Sequence, residues 1–268
     1  YGIQIAFRRF NPTLGITGSP WVGLTYFKQF FESYYFTDIL WNTISLSVFT
    51  MLIGFPVPIL LALLINEIKN VKFKKLIQNI TYIPNFLSVV VIVSMLTLFS
   101  NSDYGLFNKI TGLFGIAPMD FMSKPALFQP LYVFSNVWQF MGFNAIIYIA
   151  ALSSVDQELY EAASIDGATR LQKIIHISIP CIMSTIIVLF IMRIGSLMSV
   201  GFEKVYLMQN SVTLSASEVI STFIYKNGIQ KGQFSYSTAV GLFNSVINFV
   251  LLISANFASK KLTKTSLW

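Results

Sequence analysis

The chain has 268 residues, of which 54% are hydrophobic, 15% aromatic and only 11% charged, with a formal net charge of +7. Soluble domains carry about 25% charged residues, so this composition excludes a protein surrounded by water on all sides. The apolar residues fall in blocks, and the blocks decide the class.

Residues 1–38 open on YGIQIAF and then carry Asn11, Pro12, Gly15, Gly18 and Pro20, a pattern of irregular chain leading into a short interfacial helix from about Val22 to Phe36. Five stretches follow that are long enough to cross a bilayer, which takes about 20 mainly apolar residues: 40–65, 76–99, 128–155, 181–202 and 234–259. Four of the five carry no charge, and the fourth in order contains only Arg193. Runs this long and continuous predict helices, because barrel strands are about 10 residues long and alternate. The expected class is an all-α membrane protein forming one transmembrane domain over 1–268. A sixth span is expected upstream of Tyr1, since residues 1–38 are placed outside and no cleavable signal peptide is visible.

Orientation follows from the basic residues. Lys69, Lys72, Lys74 and Lys75 lie between the first two spans, Arg170 and Lys173 between the third and fourth, and Lys260, Lys261 and Lys264 after the last. Parity puts these nine on one side, which is expected to be cytoplasmic with the C-terminus, in a multi-pass protein of the plasma membrane. The loops 100–127 and 203–233 are then external, the second with a helical turn or two around Ser215 to Tyr225.

Two spans carry a small or polar stripe: Thr43, Ser47, Thr50 and Gly54 in the first, Ser237, Gly241, Asn244 and Asn248 in the last. Each set falls within about 60° on a helix. Such stripes face other helices or water, and close packing and cavity lining are both open readings. In the third span Gln139 and Asn144 are candidates for a polar path beside Asn136 and Trp138. Arg193 is costly in lipid and is expected to face the bundle or a water-filled space.

Catalytic signatures are missing. One His and one Cys make no metal cluster, and there is neither a G-x-S-x-G elbow nor a G-x-x-x-x-G-K-[ST] phosphate loop. The five spans hold no Asp or Glu, which weighs against ion-coupled transport. The chain is therefore expected to be no enzyme, without a cofactor or metal of its own, and any energy must come from a partner.

Between the third and fourth spans, residues 153–180 interrupt the apolar pattern. Ser154 with Gln157 reads as a capping box, predicting a helix from Val155 to about Ile165, a left-handed stop at Asp166-Gly167, and a second helix from Thr169 to Ser178. Ala162 and Ala163 leave little bulk at its centre, and Glu161 beside them offers a charge to a partner. His176 reads as a surface residue.

The spacing of Glu161, Ala162, Ala163, Gly167, Ile177 and Pro180 resembles the cytoplasmic signature of permease subunits of binding-protein-dependent ABC importers, with Ile179 where Leu is usual. The opening YGIQIAFRRFNP, the run FTDILWNTISLSVF and the ending from Phe234 are similar to the oligosaccharide and uronide branch found in Gram-positive bacteria, and practically the whole chain is covered.

The resemblance implies a type I importer fold in which five visible spans plus one upstream make six. The 153–180 segment would be the coupling helix that docks on a cytoplasmic ATPase, with ATP and Mg bound by that partner. It implies a second homologous permease, two ATPase subunits, and an extracellular lipoprotein that delivers an oligosaccharide, acidic sugars included. The candidate path is then Gln139, Asn144, Arg193, Asn244 and Asn248. The rival expectation is a receptor or scaffold that recruits a cytoplasmic partner through the same segment without transport; an unpowered channel is a distant third.

Overall fold

A computed structural model describes residues 1–263, 266 and 267. Lys264, counted above with the basic tail, lies outside the described residues. Regular structure among them is helical, with two isolated bridges, Arg8 to Trp21 and Asn11 to Gly15. The main helices are α1 (Thr25–Phe31), α2 (Phe36–Gly54), α3 (Pro56–Asn66), α4 (Val71–Tyr82), α5 (Val89–Ser100), α6 (Pro125–Ser153), α7 (Gln157–Ile165), α8 (Arg170–Lys173), α9 (Met183–Gly195), α10 (Phe202–Met208), α11 (Ile220–Tyr225) and α12 (Phe234–Thr263).

Three helical stretches are long and apolar enough to cross a membrane: Phe36–Asn66, Pro125–Ser153 and Phe234–Thr263. They coincide with the first, third and last expected spans. The other two expected spans are broken. The 76–99 stretch stops in the 3-10 turn Ile83–Phe86, where Pro84 interrupts the helical ladder, and restarts at Val89 with Ser88 as its cap. The 181–202 stretch contains only α9, which follows Arg170–Cys181 across a bend of 63°. Counting each broken pair as one span gives five.

The chain divides into two compact units. The first holds Tyr1–Phe49, Ser88–Tyr132 and Ser196–Leu251; the second holds Thr50–Leu87, Val133–Gly195 and the chain from Leu252 onward.

The core of the first unit is Phe30, Ile39, Met198, Ile220, Tyr236 and Val240. Phe30 meets Phe36 edge-on at 5.1 Å and Phe243 at 5.6 Å. Polar ties pin the loops to this core. Asn42 donates to the carbonyls of Ser215 and Glu218 at 2.8 and 3.2 Å, and Thr43 Oγ1 accepts from the Ile220 N–H at 3.0 Å. Lys226 pairs with Glu218. Thr43 and Ser47 are buried, so this part of the first stripe serves packing. The expected turns around Ser215 to Tyr225 are the Leu214–Ser217 turn and α11.

Lys204 on α10 is only 4% exposed, its Nζ 5.8 Å from the Tyr132 ring centroid. Burial disfavours its charged form and brings its pKa down to about 8.

The second unit packs Ala62 and Leu63 of α3 against Ala145, Tyr148 and Leu152 of α6 and Ile182. Lipid supplies no hydrophobic drive between helices, so association there rests on close contact through small residues. Gly142 of α6 shows this: a Cβ at that position would run into the Thr81 carbonyl of α4. A Cβ at Gly195 would lie 2.6 Å from Leu252 Cδ1.

Candidate functional site

Two features of the second unit are candidates for function: the segment after α6 and a cavity among its helices. α6 ends at Ser153, and Ser154 turns its hydroxyl back to the Ala151 carbonyl at 2.7 Å. Ser154 is therefore not the cap expected from its spacing. Asp156 takes that place, accepting the Glu158 N–H at 3.0 Å, and α7 starts at Gln157 rather than Val155. A carboxylate suits this position because it also faces the positive end of the helix dipole.

α7 stops as expected at Gly167, whose φ of 76° lies in the left-handed region that a side chain disfavours. The Ala168 N–H returns to the Ala163 carbonyl at 2.9 Å, closing the turn. α8 then begins with a capping box between Thr169 and Gln172, where the Thr169 N–H donates to Gln172 Oε1 at 2.7 Å. The second helix is not uniform. It loosens into a π turn over Ile174–Ser178, and then the chain passes Pro180 into α9.

Two side-chain ties hold the two arms of this knuckle together. Tyr160 Oη and Ser178 Oγ are 2.9 Å apart, and Lys173 Nζ donates to Ser164 Oγ at 2.5 Å. Below them Tyr160, Ile174, Ile177 and Ile179 pack on the core of the unit. The signature residues thus divide into two sets. Ile177 is an anchor in that core, whereas Glu161, Ala162 and Gly167 are exposed on the free side with Ala163 half-buried.

Around the free side Leu159, Ile165 and Leu171 are exposed, Ile165 to 87%. Sequence reasoning passed over these three. Their exposure has no signal in the sequence, because it is set by what the rest of the chain covers.

The cavity is half-enclosed, about 150 Å³, and lined by Gly54, Pro58, Asn136, Asn144, Tyr148 and Arg193 among others. It joins residues of α2, α3, α6 and α9, so Asn144 and Arg193 share one space although 49 positions separate them. Asn136, considered only as a neighbour, lines it as well. An arginine with two amides and a tyrosine can bind an anion or a polyhydroxylated group; nothing in the set is a nucleophile with a base.

The remaining path candidates lie elsewhere. Gln139 is 1% exposed and donates to the Leu87 carbonyl at 3.3 Å. In the first unit Asn248 accepts from the Met198 N–H at 2.9 Å and donates to Ser199 Oγ at 3.0 Å. Asn244 is half-buried there, and its Oδ1 is buried without a hydrogen-bond partner.

The described residues form a helical membrane protein with an exposed two-helix knuckle. Residues 54–264 match the binding-protein-dependent transport system inner membrane component family, and the chain belongs to it. Two relatives come from Bacillus subtilis (strain 168). Protein LplB is 43% identical over all of this chain and 84% of its own length. The polygalacturonan/rhamnogalacturonan transport system permease protein YteP is 44% identical over 97% of this chain and 81% of its own length.

A solved bacterial ABC transporter involved in the import of the acidic polysaccharide alginate superposes with a TM-score of 0.90 at 38% identity, covering 98% of this chain and 88% of that one. A second crystal structure, of a bacterial alginate ABC transporter in complex with an alginate pentasaccharide-bound periplasmic protein, superposes at 0.91 with the same identity, over 99% and 88%. The fold is accordingly the type I importer transmembrane fold that the resemblance implied.

Proposed function

We infer that this chain is the permease subunit of an ATP-driven importer of acidic oligosaccharides. It works beside a second permease, receives substrate from an extracellular binding protein, and is driven by two cytoplasmic ATPase subunits that bind ATP and Mg. The observation that carries this reading is the knuckle of residues 157–178. One face of it is anchored in the unit's core, while Glu161, Ala162, Leu159, Ile165 and Leu171 remain exposed. A loop with only solvent to meet has no use for that apolar side. An ATPase groove would cover it, and the cross-ties at Tyr160 and Lys173 would carry force from it through Pro180 into α9.

The distribution of basic residues supports a cytoplasmic position for the knuckle and the C-terminus. Acidic substrates are supported by Arg193 in the cavity and by two relatives named for alginate and polygalacturonan. Asn144 would hold hydroxyl groups in the same space.

The test replaces Glu161 with Lys and Ala162 with Trp and co-purifies the assembly with its ATPase. The expected result is loss of the ATPase from the complex and at least about a tenfold fall in ATP-driven oligogalacturonate uptake into proteoliposomes, as removal of an interface anchor worth about 2 kcal/mol would give. Retained ATPase with unchanged uptake would refute the reading.

A further inference from the structure

The importer reading leaves α4 without a task, yet its twelve residues, VKFKKLIQNITY, are strongly two-faced. Asn70 caps it, accepting from the N–H groups of Lys72 and Phe73 at 3.0 and 3.2 Å, so the helix is well started. One side is packed: Thr81 meets Gly142 of α6 so closely that no Cβ fits between them.

The other side is bare. Phe73, Leu76 and Ile80 lie within about 60° of one another, and they are 52%, 53% and 59% exposed. Lys72 borders this stripe and Lys75 follows it around the helix, both exposed, with Lys69 exposed just before the cap. The two ion pairs found among the described residues, Lys28–Glu32 and Lys226–Glu218, involve none of these lysines. α4 itself contains no acidic residue.

A segment of twelve residues reaches about 18 Å, and three of its residues are lysines, so α4 does not cross a bilayer core by itself. The chain breaks after it at Pro84 and Leu87, which frees its axis from the helix that follows. A short helix with an apolar stripe, basic residues along the border of that stripe and the opposite face fastened to the protein has the pattern of an interfacial helix. Its side chains enter the acyl boundary while its ammonium groups meet phosphates.

We propose that α4 is a lipid-contact helix: Phe73, Leu76 and Ile80 sit in the membrane interface, and Lys69, Lys72 and Lys75 bind the phosphates of anionic phospholipid headgroups. The occupant is lipid rather than a second protein because the exposed stripe is edged by unpaired positive charge. A membrane surface supplies the matching negative charge along its whole plane. Through Thr81 and Gly142 the helix is fastened to α6, so anionic lipid would steady the helix that also carries Asn144.

The experiment reconstitutes the complete importer in phosphatidylcholine nanodiscs with and without phosphatidylglycerol bearing a headgroup photoprobe. After irradiation, adducts are mapped by mass spectrometry. Adducts are expected on residues 69–83, to be displaced by salt, and to fall roughly fivefold for each lysine removed in Lys72→Gln and Lys75→Gln. A Lys260→Gln/Lys261→Gln control should leave them unchanged. Equal labelling in the lysine variants would overturn the proposal. So would crosslinks from Phe73, Leu76 or Ile80 to another subunit in place of lipid.

Discussion

Arg193 and Lys204 are both cations in a largely apolar chain, and their surroundings give them different work. Arg193 lines a cavity with Asn136 and Asn144, where a substrate carboxylate would meet its guanidinium. A hydrogen bond to a charged group is worth about 1.5–3 kcal/mol. Arg193→Gln is therefore expected to cut oligogalacturonate uptake by about 10- to 100-fold while sparing a neutral oligosaccharide, measured as competing fluxes in proteoliposomes. Lys204 is instead buried beside Tyr132, and its pKa is down at about 8 from an ordinary 10.5. Between those values the unfolded chain binds more protons than the folded one, so stability rises with pH across that window and the full penalty applies below it. Melting of the purified protein should shift upward from pH 8 to pH 10, and Lys204→Met should flatten the dependence.

Among the elements, the spans were legible because their signal is a local average: a run of apolar residues is costly in water whatever its neighbours are. Breaks inside them were less legible. Pro84 is visible within the 76–99 stretch, but prolines also sit inside helices that continue, as Pro130 does in α6. Which proline ends a helix depends on whether neighbours satisfy the freed carbonyls. Helix contacts follow the same logic. Gly142 is one glycine among 15 in the sequence, and only the approach of Thr81 singles it out. Gly142→Val is expected to push α4 off α6 at a cost of about 1–3 kcal/mol, read as a drop of several degrees in the melting temperature in detergent. Gly2→Val, at an open position, is the control.

At the scale of the whole molecule, the importer role proposed above would make the knuckle a connection between the ATPase and α9. Tyr160 with Ser178, and Lys173 with Ser164, tie its arms together, and each bond is worth about 1 kcal/mol or less at this exposure. Removing both in Tyr160→Phe/Lys173→Met should leave the ATPase bound but loosen transmission. Uptake per ATP hydrolysed is expected to fall severalfold while hydrolysis itself continues. Unchanged stoichiometry would show that force takes another route. The signature residues were readable because their spacing is local, running from a helix cap through a left-handed turn to a proline. The exposed Leu159, Ile165 and Leu171 were not, since exposure is set by what the rest of the chain covers.

Taken alone, the amino-acid order determined the helical class, the apolar stretches and the stop at Gly167. All of these depend on neighbours within a turn or a single span. The tertiary structure decided that Asn144 and Arg193 share a cavity, that Asn248 is tied to Met198 and Ser199, and that α4 shows an apolar side with nothing packed on it. Such facts depend on residues dozens of positions apart being brought within a few ångströms, and hydrophobic periodicity is silent about which faces will meet.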